Sequence, residues 1–167
     1  MPDPETKRRV AEYFARKPAA MVLLAARDLG LPEAEILRCL EGAVELKPDA
    51  EALLRDLEPF GTCHVIVSNR GATLEARGAF GNFSRSGPFL NVENGVLDLH
   101  LRTEAVTSAF CLDKPSHRDR RPIHTVQLFD AAGDAVLKAV MPRTDGAYSP
   151  EQDQAFQSLR ERHRLRA

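Results

Sequence analysis

Tryptophan is absent from this chain of 167 residues, cysteine occurs only three times, and the formal charges cancel to −1. Cys39, Cys63 and Cys111 lie far apart and form neither a CxxC pair nor a zinc spacing, so a metal knuckle and a disulfide framework are set aside and small, reduced, apolar thiols are expected. A balance so close to neutral gives no broad basic field for nucleic acid or anionic lipid. Long apolar runs are missing too, and none approaches the roughly 20 residues of a bilayer span. The start, "MPDPETKRR", continues into "VAEYFARKPAA" and not into an apolar leader, so a cytoplasmic location is expected. There is no GxSxG, no HExxH and no recognisable pair of catalytic carboxylates, and "GAFGN" lacks the strand-to-helix setting of a phosphate loop.

With 43% hydrophobic and 28% charged residues, the chain suits one compact domain, with or without a small appendage. Residues 4 to about 58 read as helices. "PETKRRVAEYFARKP" spaces Val10, Tyr13 and Phe14 helically and stops before Pro18. "AAMVLLAARDLG" closes on Gly30, "LPEAEILRCLEG" opens at Pro32, and "PDAEALLRDLEPFG" has Asp49 as its cap. From Thr62 the period changes to two. "TCHVIVS" and "ATLEARG" flank the turn signal "NRG", "GPFLNVENGVLDLHLR" gives two strands around "ENG", and "AFCLDKP" gives another. "IHTVQLFDAAGDAVLKAVM" is a hairpin, and "SPEQDQAFQSLRERHRLR" is a closing helix capped by Ser149 with Pro150 at its first position. Helices, then a strand meander, then a helix predict an α+β fold with a largely antiparallel sheet. The expected division is a small helical subdomain over 1–60 and a sheet domain with the C-terminal helix over 61–167.

The segment 19–42 has the outline of a helix-turn-helix, a shape that often marks DNA binding. Its second helix carries Glu33, Glu35 and Glu41 against Arg38 alone, a poor match to phosphates, so a structural or interaction module is the better reading. The charged stretch "HRDRRP" at 117–122 reads as a solvated loop. Among the histidines, His163 and His117 read as solvated, His64 as a surface or sheet-packing residue, and His124 as open either way. "GVLDLHLRTE" poses a sharper question. Its leucines alternate as in a half-buried strand, while Asp98, His100 and Arg102 share the other side. That side faces either water or a ligand.

Three segments together resemble the cytosolic haem-utilisation proteins of Gram-negative bacteria: the ChuX/HutX-type carriers and the related HemS/ChuS-type haem-binding or haem-degrading proteins. "GPFLNVENGVLDLHLRTEAVTSAFCLDKPS" looks like the segment ending in the haem-ligand strand. "TVQLFDAAGDAVLKAVMPRTDG" looks like the hairpin that both groups share. "VAEYFARKPAAMVLLAARDLGLPEAEILRCL" looks like the start of the carriers. The likeness runs over nearly the whole chain.

The resemblance implies an axial role on haem iron for His100, with Arg102 nearby. An imidazole is a sound iron ligand, and propionates favour cations with forked donors. Lys138 and Arg143 match cationic positions of the shared hairpin and are candidates for propionate contact. Gln127 matches a polar position, and Phe89 stands where some carriers have a tyrosine. Ser68 stands where some have a histidine, so a second axial ligand would come from His64, His124 or water. The implied function is a haem carrier that accepts, buffers and hands on imported haem. A haem-degrading enzyme is the alternative and a helix-turn-helix regulator the second alternative. The implied partners are haem, a second copy of the chain in a homodimer, and a downstream haem-degrading enzyme or importer, with no nucleic acid and no membrane.

Overall fold

The computed structural model describes residues 2–69 and 71–166. Helix α1 (Pro4–Arg16) starts on Asp3, whose carboxylate accepts from the N–H groups of Glu5 and Thr6. Helix α2 (Val22–Leu29) ends on Gly30 at φ 66°, a left-handed position that glycine takes without strain. Helix α3 (Glu33–Cys39) follows, then strand β1 (Ala43–Leu46) and helix α4 (Ala50–Leu57), capped by Asp49. Strands β2 (Thr62–Ser68), β3 (Thr73–Ala79), β4 (Phe83–Ser86), β5 (Phe89–Glu93) and β6 (Asp98–Arg102) form the first meander. Strands β7 (Ser108–Pro115), β8 (Pro122–Phe129) and β9 (Ala135–Val140) form the second, and α5 (Pro150–His163) closes the chain on a complete capping box between Ser149 and Gln152. Arg70, in the expected "NRG" turn, lies outside the described residues.

The strands make two antiparallel sheets, a large one in the order β1-β7-β8-β9-β2-β3 and a small one in the order β4-β5-β6. The α+β reading therefore holds, with two local differences. "AVEL" at 43–46 is a strand paired to β7, although the first 58 residues read as helical. "FSRS" at 83–86 is a strand paired to β5. Both have only four residues, too few for a period to show.

Register decides which face each side chain takes. Cys63 and Val65 of β2, Val126 and Leu128 of β8, and Leu137 and Ala139 of β9 share one core with Leu53, Leu54 and Leu57 of α4 and Phe156 and Leu159 of α5. The inner face of the small sheet joins the same core through Leu90, Val92, Leu97 and Leu101. The approach is close at Gly78 of β3, where a Cβ would stand 2.4 Å from the Leu97 Cβ. On the other face of the large sheet, α1, α2 and α3 pack over Phe110, Leu112 and Phe129 in a separate cluster. They cover only part of that face.

The helix-turn-helix outline forms as α2, Gly30 and α3, yet α3 turns Glu33, Ala34, Ile36 and Leu37 into the protein. Glu33 pairs there with Lys138, so a seven-residue helix has little left to offer a DNA groove. His163, expected to be solvated, is buried with its Nε2 2.7 Å from Asp56 Oδ2.

Candidate functional site: a cleft on one face and an imidazole on another

The face of the large sheet that α1–α3 leave open forms a cleft of about 220 Å³. Alternation along the strands supplies its floor. His64 and Ile66 come from β2, Leu112 and Lys114 from β7, Thr125 and Gln127 from β8, and Lys138 and Val140 from β9. Met21 and the start of α2 form one wall, the β7–β8 loop with Ser116, His117 and Arg118 another, and Glu75 of β3 a third. The charged loop at 117–122 is exposed, as expected, and is also a lip of this cleft.

Four cations line the cleft, and three already have carboxylate partners. Lys138 is ion-paired with the buried Glu33 at the start of α3. Arg143 lies 2.9 Å from Asp119 in the β7–β8 loop, and this guanidinium holds the Asp119 carboxyl below its usual range. Arg118 stands 3.7 Å from Glu75. Lys114 alone has no carboxylate partner among the described residues. Its ammonium donates to the Pro115 carbonyl at 2.8 Å, and burial pulls its pKa below the ordinary lysine value. On the floor, Gln127 donates through Nε2 to Thr125 Oγ1 at 2.9 Å. Its buried Oε1 has no partner among the described residues. An uncompensated ammonium and an orphaned amide oxygen, set among paired cations and apolar side chains, suit a ligand that joins apolar surface to anionic groups.

The six residues singled out from sequence fall into two groups. Gln127, Lys138 and Arg143 line the cleft. Phe89, His100 and Arg102 share the outer face of the small sheet, Phe89 and Arg102 as cross-strand partners. This outer face points away from the core that both sheets share, and the cleft lies on the far face of the large sheet. Within one chain the two groups therefore look in different directions.

On the small sheet, the Nδ1 of His100 lies 2.8 Å from Asn91 Oδ1. Asn91 is buried, and its Nδ2 donates to Ser84 Oγ at 3.3 Å. An amide oxygen only accepts, so the neutral imidazole keeps its proton on Nδ1 and presents the Nε2 lone pair outward. His64 has the reverse arrangement, its Nε2 held 3.1 Å from Glu75 Oε2. His124 is on the core face, stacked between Tyr148 and Phe156 at ring centroid distances of 4.1 and 4.2 Å, with Nε2 2.7 Å from Asp153. It does not reach the cleft. Lys114, Arg118 and Glu75 escaped the sequence reading. Lys114 alone carried a signal, its period-two relation to Leu112.

Comparison with known proteins adds the family. Residues 30–163 match the family model described as the haemin-degrading HemS.ChuX domain. Over 130 residues the chain is 38% identical to the hemin transport protein HemS of Yersinia enterocolitica, a match covering 72% of this chain and 36% of that protein. The chain thus spans about a third of the length of this curated relative. Holo-PhuS, a heme-binding protein from Pseudomonas aeruginosa, superposes with a TM-score of 0.80 at 26% identity, over 96% of this chain and 45% of that one. The heme-binding protein ChuX superposes with a TM-score of 0.80 at 19% identity, over 92% and 97% of the two chains, a likeness of fold. The family model covers most of the chain, and the chain belongs to the HemS.ChuX domain family.

Proposed function

We propose that this protein binds haem and acts as a carrier, accepting imported haem in the cytoplasm, holding it and handing it on to a haem-degrading enzyme. The observation that carries the reading is His100, whose Nδ1 is held by Asn91 and which is exposed, its Nε2 without a partner among the described residues. An outer-shell carbonyl that fixes the tautomer and the ring angle is how ligating histidines are prepared for a metal. A porphyrin brings its own ring of nitrogen ligands, so one prepared imidazole is enough to hold the iron axially. Its two propionates call for cations, which the cleft supplies in Lys114, Arg118, Lys138 and Arg143.

The two groups of residues serve one ligand only if two copies of the chain share it. The reading therefore includes a homodimer. The small sheet of one protomer, with Phe89, His100 and Arg102, closes over the cleft of the other, with Gln127, Lys138 and Arg143. The 45% coverage of PhuS supports this, since a chain of twice the length has room for two such units.

A haem titration followed by absorbance tests the proposal. Wild type is expected to bind with a sharp Soret band and His100→Ala to shift or lose that band. A mixture of His100→Ala protomers with Lys114→Ala/Arg118→Ala protomers should recover part of the binding that neither variant shows alone. Unaltered spectra for His100→Ala, with loss in His64→Ala, would move the iron into the cleft of a single chain. Haem incubated with the protein and a reductant is expected to be recovered intact, and a biliverdin-like absorbance would make the protein a haem-degrading enzyme instead.

A further inference from the structure

Glu75 is the only carboxylate lining the cleft among the described residues. It sits on β3, an edge strand of the large sheet, and reaches two groups that face the cleft. One is the His64 Nε2 at 3.1 Å on β2, and the other is the Arg118 guanidinium at 3.7 Å on the opposite lip. The pairs at Lys138 and Arg143 are built differently. Their carboxylates, Glu33 and Asp119, are not part of the lining, so an anion can approach either cation from the open side without removing its partner. At Arg118 the place an anion would take is held by Glu75 itself.

We infer that Glu75 stands in for a carboxylate of the ligand. It bridges His64 and Arg118 across the mouth of the cleft and is displaced when a carboxylate-bearing ligand enters. The inference rests on the haem reading for the identity of that ligand. Two carboxylates crowded onto one guanidinium repel each other, so the ligand's anionic edge and Glu75 compete. The exchange is nearly isoelectric. At Arg118 one charge-assisted contact breaks as another forms, and the affinity falls short of what the four cations alone would give. Release is faster for the same reason, because Glu75 is on hand to reclaim Arg118 as the ligand leaves. Such an arrangement suits a protein that must give its cargo up. The side chain is on an exposed edge strand, so the isosteric Glu75→Gln keeps the packing.

The test measures haem affinity and the rate of haem transfer to apomyoglobin for wild type, Glu75→Gln, Arg118→Gln and the double variant. Each measurement is repeated with haem dimethyl ester, which lacks the carboxylates. Glu75→Gln is expected to bind haem roughly three- to tenfold more tightly and to release it more slowly, a gain of the size of one solvent-screened ion pair. The dimethyl ester should bind both proteins equally, and in the Arg118→Gln background the gain should shrink below about twofold. A wild type that binds haem while Glu75→Gln binds it no better overturns this inference alone, as does an equal gain for the dimethyl ester. A wild type that binds no haem overturns the haem reading and this inference with it.

Discussion

At the scale of single residues, burial and pairing make the effect of a substitution depend on what is left behind. Asn91 carries no metal in the proposed site, yet it orients the imidazole that does. Asn91→Ala should leave the Soret position unchanged while weakening haem binding by about tenfold, the usual consequence of removing an outer-shell partner. His100→Ala should change the band itself. Lys138 is a different case, because it neutralises Glu33 inside the protein. Lys138→Met should cost about 3–5 kcal/mol by stranding that carboxylate, and the double variant Glu33→Leu/Lys138→Met should recover most of it. Urea denaturation of the three proteins checks this. Lys114 has no carboxylate to neutralise, and burial lowers its pKa from the ordinary 10.5. The unfolded chain therefore holds this proton to higher pH than the native one, and the contribution of Lys114 to stability rises with pH across the window between the lowered value and 10.5. A propionate beside the ammonium raises its pKa again, so haem affinity should fall as pH climbs through that window. Lys114→Met should flatten the fall. Burial also pushes Cys63 and Cys111 up to about 12, while Cys39 is only partly buried. In the native protein Cys39 should be the first thiol to react with a disulfide reagent at pH 8, and all three should react in denaturant.

At the scale of elements, two junctions hold the site's framework in place. The C-terminal helix α5 begins on a capping box and is fastened by an imidazole near each end. His124 meets Asp153 at 2.7 Å at its start and His163 meets Asp56 at 2.7 Å at its finish. Ser149→Ala removes the cap and should lower stability by about 1 kcal/mol, read from the urea midpoint, without altering the haem spectrum. The second junction is Gly78, against which the small sheet lies. Gly78→Ala would drive a methyl group into Leu97 and push β6 off the large sheet, at a cost of about 1–3 kcal/mol. Since β6 carries His100, this variant should also weaken haem binding, unlike Ser149→Ala. Thermal melts paired with haem titrations separate the two.

At the scale of the whole molecule, the two faces are the main constraint. His100 and the cationic cleft point away from a common core, so the proposed shared site would take one half from each of two chains. Light scattering at micromolar concentration should give the mass of a dimer. Titration should saturate at two haems per dimer, since a two-fold arrangement repeats each shared site. A monomer that binds haem with wild-type affinity would remove the shared site and leave the cleft and the small sheet to be tested as separate locations.

Much of the local structure was legible in the residues, because it depends on neighbours in the chain. Asp49 and Ser149 as caps, Gly30 as a stop, and the hairpin over 123–141 are decided by contacts within a few positions. The period-two pattern also put His100 and Arg102 on one side of their strand. It could not say what that side meets, since alternation separates two faces without telling which is covered. That answer came from the strand order, which sets the small sheet on one face of the large sheet and leaves the cleft on the other. Glu33 and Lys138 are 105 positions apart, and β3 and the β7–β8 loop approach across a gap in sequence that no pattern spans. The ion pairs of the cleft, the position of Glu75 at its mouth, and the separation of His100 from Gln127, Lys138 and Arg143 were decided by tertiary structure alone, because strand pairing joins segments that are remote along the chain.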